Sequence, residues 1–365
     1  MREGWEYKKL GEVCNIYQPK TISTEQLVED GDYLVYGANG IIGRYDKYNH
    51  EESEVLMTCR GATCGTINVS EPFSWINGNA MVVHPLNDLV EKSYLSFCLR
   101  GIKLSDVITG AAQPQITRQK LSPKIIPVPP LSVQQSIVSE LDMLSGLIAK
   151  HEEQLKAYDE LAQSIFYDMF GDPVENEKGW EVKKLEEIGT IITGSTPSTR
   201  DENNYSSNDY NFFKPSDIAN DTISLLTESE YFISEHAYEQ SRKLPIGSVL
   251  VTCIGIIGKI GILQKEATCN QQINAVKPND NTTPLYLAYC ISGLRVMLEN
   301  IANAPVVPII NKGQFSNIQI PLPPLLLQQS FAEKIEAIER QKERIRQSMA
   351  EVKTLFDSRM DYYFN

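Results

Sequence analysis

The sequence predicts an α+β chain built twice over. Two β-rich globular heads are each followed by a long helix, the two helices pack as an antiparallel coiled coil, and the halves are related by a pseudo-two-fold internal repeat. Three observations lead there. "GWEYKKLGEV" at 4–13 returns as "GWEVKKLEEI" at 179–188, "EVLMTCRG" at 54–61 as "SVLVTCIG" at 248–255, and "YLSFCL" at 94–99 as "YLAYCI" at 286–291. "IPVPPLSVQQS" at 126–136 returns as "IPLPPLLLQQS" at 320–330. Each proline phrase precedes a long stretch whose apolar residues alternate in steps of four and three, the spacing of a heptad seam. Conserved order over a long period means duplicated structural units.

The heads span residues 1–125 and 171–319, and the helical segments 126–170 and 320–365. Within the heads, "DYLVYGANGIIGRYDKY" and "SVLVTCIGIIGKIGIL" set β-branched and aromatic residues between glycine turns, as short strands do. The opening phrases lie 175 residues apart and the proline phrases 194. The second head therefore carries about 19 extra residues, expected early, around "TGSTPSTRDENNYSSNDYNFFKPSDI". Proline ends the strand in each junction, because it has no N–H and restrains its predecessor. Ser132 and Gln135 then read as a capping box, which Leu326 removes from the second copy.

The first seam runs through Ile137, Leu141, Leu144, Ile148, His151, Leu155, Tyr158, Ala162, Ile165 and Met169. The second runs through Phe331, Ile335, Ile338, Lys342, Ile345, Met349, Val352, Phe356, Arg359 and Tyr363. Helices of about 39 residues are roughly 58 Å long at 1.5 Å per residue, and pairing them covers both seams. The chain end "MDYYFN" matches "YDMFGD", which precedes the second "GWE", so the C-terminus is expected beside the N-terminus.

Several function classes drop out. No run of about 18 apolar residues exists to span a membrane, and "MREGWEYKKLGEV" lacks the apolar core of a signal peptide. A cytoplasmic location is expected. Seven cysteines stand as singles without a C-x-x-C, and there are only four histidines, so neither a disulfide framework nor a metal site is expected. No phosphate-binding loop, nucleophile elbow or zinc-protease motif occurs. "DP…EVK", with Asp172, Glu181 and Lys183, has a nuclease-like order. However, Glu181 and Lys183 belong to the repeated opening phrase, whose first copy lacks the aspartate. No catalytic residue is expected.

The net charge of −13 argues against nucleic acid when taken alone, yet binding uses one face and not the sum. Between Arg100 and Lys124 five cations face one anion, and Gln113 and Gln115 can read base edges there. Candidate DNA contacts are Arg44, Lys47, Arg60, Gln113, Gln115 and Arg118 in the first half. In the second half they are Lys214, Lys259, Asn270 and Gln271. Singly, each also reads as a solvated loop or turn residue.

The two "GWExKKL" openings, "TGSTPS", "CNQQINAVKP", the two "PxPPLxxQQ" junctions and the two long helices together resemble the specificity (S) subunits of Type I restriction–modification enzymes. The resemblance covers essentially the whole chain. It implies two target recognition domains and two helices in an antiparallel coiled coil. It implies a non-catalytic subunit that reads a bipartite, asymmetric double-stranded DNA target, one half per domain. Its partners would be two modification (methyltransferase) subunits and the restriction subunits. S-adenosylmethionine, ATP and magnesium would sit on those partners and none on this chain. A coiled-coil scaffold that binds only proteins is the alternative, and heads acting as enzyme active sites a third reading.

Overall fold

The computed structural model describes residues 2–110, 113–302 and 307–365. The chain divides into two compact units, residues 1–152 with 346–365 and residues 153–345. Each unit contains one head and half of each long helix.

The repeated opening phrase and the proline phrase are two strands of one small ladder. Glu6–Lys9 pairs antiparallel with Ile125–Val128, and Tyr7 faces Pro127. Glu181–Lys184 pairs with Gln319–Leu322 in the same register, with Val182 facing Pro321. A two-stranded ribbon has a free edge for the N–H that proline lacks. The predicted boundaries after 125 and 319 therefore fall inside strands that belong to the heads. "YLSFCL" and "YLAYCI" lie in helices Lys92–Gly101 and Pro284–Gly293. Their Tyr94 and Tyr286 hydroxyls donate to the carbonyls of Pro127 and Pro321.

The first head is built on a four-stranded sheet, Cys14–Tyr17, Ala80–Pro85, Val55–Thr58 and Ile67–Val69 in spatial order. A three-stranded sheet of Gly40–Tyr45, Tyr33–Gly37 and Trp75–Ile76 accompanies it. The second head repeats this plan. Its larger sheet is Gly189–Thr193, Ile273–Pro278, Val249–Thr252, Ile260–Leu263 and an added Ser224–Leu226. Its smaller sheet is Tyr231–Ile233, Tyr210–Phe213 and Ala267–Cys269.

The extra residues of the second head lie between the first two strands of its smaller sheet. In the first head a two-residue turn, Ala38–Asn39, joins the paired strands Tyr33–Gly37 and Gly40–Tyr45, with Gly40 at φ +101°. In the second head residues 214–230 join the corresponding strands, and they supply the added strand. The expected site around 193–218 lies mostly ahead of the true one.

The long helices run Leu131–Phe170 and Leu325–Phe364. In the second unit Phe331 packs on Phe170 and Phe166, with ring centroids 5.3 and 5.7 Å away, while Lys342 reaches Asp159 at 2.6 Å. Numbers rise along one helix as they fall along the other, so the packing is antiparallel. In the first unit Glu140 meets Arg359 at 2.7 Å and accepts from the Tyr363 hydroxyl. Ile137, Leu141, Leu144, Phe331, Ile335 and Ile338 are buried, whereas Ile148, Leu155, Ile345 and Met349 are half-buried. A two-stranded seam without a third layer shields its residues only in part. Near the heads the stripe widens: Phe166 and Phe170 are buried, and the expected Ile165 and Met169 only flank them. The end of the chain meets its beginning, as the Arg2 guanidinium lies over the rings of Trp5 and Tyr362 and donates to the Tyr363 carbonyl.

The paired glutamines join helix to head. Gln134 and Gln328 are both 0% exposed, and the next glutamine in each copy is exposed. Gln134 accepts the Glu91 amide at 2.8 Å and donates to the Leu89 and Pro129 carbonyls at 2.7 and 2.8 Å. Gln328 accepts the Thr283 amide at 2.9 Å and donates to the Asn281 and Pro323 carbonyls at 3.1 and 2.9 Å. Glu91 and Thr283 are themselves the N-caps of the two head helices. The proposed capping box is overturned. The helix already begins at Leu131, so Ser132 lies inside it, and Ser132's carbonyl accepts the Ser136 hydroxyl.

Candidate nucleic-acid interface

At one end of each large sheet several loops are tied together by backbone hydrogen bonds, and the two heads tie them alike. In the first head the Gly61 amide donates to Pro114, the Ile116 amide to Cys59 and the Cys59 amide to Asn79, at 3.0, 3.0 and 3.3 Å. In the second head Gly255 donates to Pro308, Ile310 to Cys253 and Cys253 to Gln272, at 3.0, 2.8 and 2.7 Å. Arg60 forms a β-bridge with Gln115, and Ile254 forms one with Ile309. Gly61 and Gly255 both sit near φ +80° to +90°, where a side chain would be strained.

A second loop closes each platform. Asn77 accepts the Ile22 amide at 2.9 Å, and the Gly78 amide donates to the Thr21 hydroxyl. In the other head the Thr196 hydroxyl donates to Gln271, and the Ser195 amide to the Cys269 carbonyl. Gly194 cannot carry a side chain, because a Cβ there would lie 2.0 Å from the Asn270 carbonyl oxygen.

The sequence candidates separate on this frame. Arg60, Gln113 and Gln115 come together, all exposed. Arg118 is exposed at the start of the short helix Arg118–Leu121 that follows. Lys47 is exposed beside an aromatic group in which Tyr48 stacks edge-on against Tyr33 and Phe73. The Arg44 guanidinium donates to the Gly31 and Asp32 carbonyls, so it braces a turn. The Lys214 ammonium lies 3.0 Å from the centre of the Tyr231 ring, a cation–π contact that links the first residue of the inserted segment to the strand after it. Gln271 is exposed.

Two candidates are corrected. Lys259 is 8% exposed and its ammonium donates to the Pro215 carbonyl at 2.9 Å. It anchors the inserted segment and does not reach outward. Asn270 is buried, and its amide side chain bonds both the Gln272 side chain and the Gln272 backbone N–H. It shapes the loop, as Asn77 does in the first head. The nuclease-like trio is likewise structural: Asp172 accepts the Val174 amide, and Lys183 pairs with Glu181 just as Lys8 pairs with Glu6 in the first copy. All seven cysteines are free and six are buried, and burial pushes the Cys253 thiol up to about 11.

Residues that sequence reasoning missed are the second head's counterparts: Ile254 for Arg60, Val307 for Gln113, Ile309 for Gln115 and Lys312 for Arg118. Aligning the repeat residue by residue, "TCRG" on "TCIG" and "QPQITR" on "VPIINK", contains that signal.

Beside the first platform, His50 Nε2 lies 2.9 Å from the Tyr17 hydroxyl and Nδ1 2.7 Å from Asn49 Oδ1. Asn49 Oδ1 also accepts the Ile76 amide, so Nδ1 carries the proton and Nε2 accepts from tyrosine. Burial, chiefly, holds the His50 imidazole below its usual range, opposed by Glu54 and aided by His84. A base with a depressed folded pKa contributes stability above its unfolded value, near 6.5, and loses it as pH falls toward the folded value. Denaturant melts of the native chain and His50→Gln from pH 7.5 to 5 should show the native chain losing more stability. Parallel curves would refute this.

A family model described as "Type I restriction modification DNA specificity domain" matches residues 2–157 and 177–354. The chain is 28% identical over 225 residues to the "Type I restriction enzyme HindI specificity subunit" of Haemophilus influenzae, covering 57% of this chain and 49% of that protein. It thus spans about half the length of that relative. It is 23% identical over 368 residues to the "Putative type I restriction enzyme specificity subunit S.HindORF215P" of the same organism, covering 98% and 94%. Its fold matches the crystal structure of a Type-I restriction-modification system S subunit from M. genitalium with a TM-score of 0.64 at 13% identity, over 99% of this chain and 96% of that one.

Proposed function

This chain belongs to the Type I restriction modification DNA specificity domain family, and we propose that it is the DNA sequence-specificity subunit of a Type I restriction–modification system. It reads a bipartite, asymmetric duplex target, with one half-site assigned to each head. The observation that carries this reading is one loop platform built twice with the same backbone bonds and different side chains. Arg60, Gln113 and Gln115 stand where Ile254, Val307 and Ile309 stand. One scaffold with two unlike faces suits two unlike half-sites.

Both helices start with the same Leu-x-x-Gln-Gln-Ser phrase, and Gln134 and Gln328 tie it to the heads by matching bonds, which suits a common attachment for two modification subunits, with restriction subunits recruited to that assembly. S-adenosylmethionine, ATP and magnesium belong to those partners in this reading, and the chain itself carries no catalysis. Assembly with such neighbours also answers the acidic net charge of −13, because their surfaces would supply much of the phosphate contact.

The test is Arg60→Ala in cells carrying the complete system, with methylated adenines mapped genome-wide. A bidentate guanidinium–base contact contributes about 1–3 kcal/mol of discrimination. One position of one half-site should relax, with the other half-site unchanged. Relaxation in both halves, or in neither, would overturn the assignment of Arg60 to base reading. A head swap that altered both half-sites together would overturn the wider reading.

A further inference from the structure

The two platforms differ in a way that bears on what each can recognise. At the first, the exposed side chains are a guanidinium and two amides, Arg60, Gln113 and Gln115. At the second, the same backbone positions carry Ile254, Val307 and Ile309, and the adjoining turn carries Ile256. Ile256, Val307 and Ile309 are 51, 48 and 45% exposed. Large aliphatic side chains left this open, side by side at a loop platform, need a reason.

The neighbouring charge supplies one. Three residues beyond the bridged position each head starts a short helix with an exposed cation, Arg118 in one and Lys312 in the other. The caps before them, Thr117 and Asn311, also correspond. An exposed cation is therefore kept at the same position in both heads, while the side chains beside it change from polar to apolar. A protein-docking face would not need to preserve that cation at the same position.

We infer that the second head reads its half-site through thymine methyl groups in the major groove, with Ile256, Val307 and Ile309 as the specificity-determining surface, while the first head reads hydrogen-bonding base edges. This rests on the DNA-specificity reading above. The chemistry is that of base edges. Arginine and glutamine match the paired acceptors of guanine and the donor–acceptor pair of adenine, whereas an aliphatic side chain can favour only the C5 methyl of thymine. The first head then selects by hydrogen bonds, the second by apolar contact and by the desolvation cost a mismatched polar edge would meet. Lys312 and Arg118 contact phosphate in both heads and carry no sequence information.

The experiment uses the chain in its co-purified complex and duplexes of the mapped target in which thymines are replaced one at a time by deoxyuridine. That replacement removes the methyl and keeps the pairing. Each contacted methyl in the second head's half-site should weaken binding about fourfold, from the transfer free energy of one buried carbon. Replacements in the first head's half-site should change binding less than twofold. Val307→Gln with Ile309→Gln should remove the sensitivity to deoxyuridine at the thymines those two side chains meet, leave any read by Ile256, and leave the first half-site as it was. Indifference to every thymine methyl in the second half-site would overturn the inference while leaving the specificity reading intact. So would loss of partner subunits from the double variant with its methyl sensitivity retained, which would assign the face to a protein. Failure of either head to determine any part of the target would instead remove the reading on which the inference rests.

Discussion

Gln134→Glu should unfold the junction between the first head and its helix, while Gln135→Glu, one residue on, should leave it standing. The two glutamines look identical in sequence. Gln134 is fully buried, and its amide nitrogen donates to two carbonyls, Leu89 and Pro129, while its oxygen accepts the Glu91 amide. Glutamate has the same shape but no donor. Its second oxygen would face two carbonyl oxygens without water, and a carboxylate there would either stay charged at high cost or take up a proton. Leaving buried polar groups unpaired costs about 1–3 kcal/mol each, so a loss of about 3–6 kcal/mol is expected, much of a unit's stability. Gln134→Ala should cost less than the isosteric change, since it adds no repulsion. Gln328→Glu should do the same in the second unit. Denaturant unfolding gives the stability, and limited proteolysis with peptide mapping shows which unit opens. Equal effects at 134 and 135 would refute the role given to the buried amide.

That pair also shows where the sequence was legible and where it was not. The duplication, the strand-to-helix junctions and the heptad seams could be read because they are periodic, and period survives without knowledge of neighbours. Which glutamine of a pair is buried depends on the groups that converge on it, and Glu91 and Leu89 are distant in sequence. Local polarity misled for the same reason. The Ser- and Asn-rich stretch beginning at 193 looked like inserted chain, whereas the added length replaces a two-residue turn after Phe213. Lys259 and Asn270 looked like surface contacts by residue type. Burial and nearby acceptors make them an anchor and a loop brace. Seam positions were right in phase but not in depth. Phe166 and Phe170 are buried because a head as well as a helix packs on that stretch.

The same distinction between phase and depth predicts that two leucines of one seam will respond very differently to the same substitution. Leu141→Asp places a carboxylate at a site with no exposure, within the cluster that joins the first head, Ile137 and Phe364. Removing a buried leucine costs about 2–5 kcal/mol, and an unpaired buried charge adds several more. The first unit should then lose cooperative folding, and its C-terminal helix end should become protease-sensitive. Leu155→Asp, in the second unit, falls on a half-buried seam position. Its carboxylate can turn toward water, so a loss of about 1–2 kcal/mol is expected, within the ordinary range for single substitutions. Thermal melts of each variant beside Leu141→Ala and Leu155→Ala separate the charge from the lost volume. The aspartate should be far worse than alanine at 141 and close to alanine at 155. If both aspartates proved equally disruptive, the middle of the seam would be as dry as its head-covered end. If Leu155→Asp alone released co-purified partners while its unit stayed folded, the half-buried stretch of the helices would be the surface those partners cover.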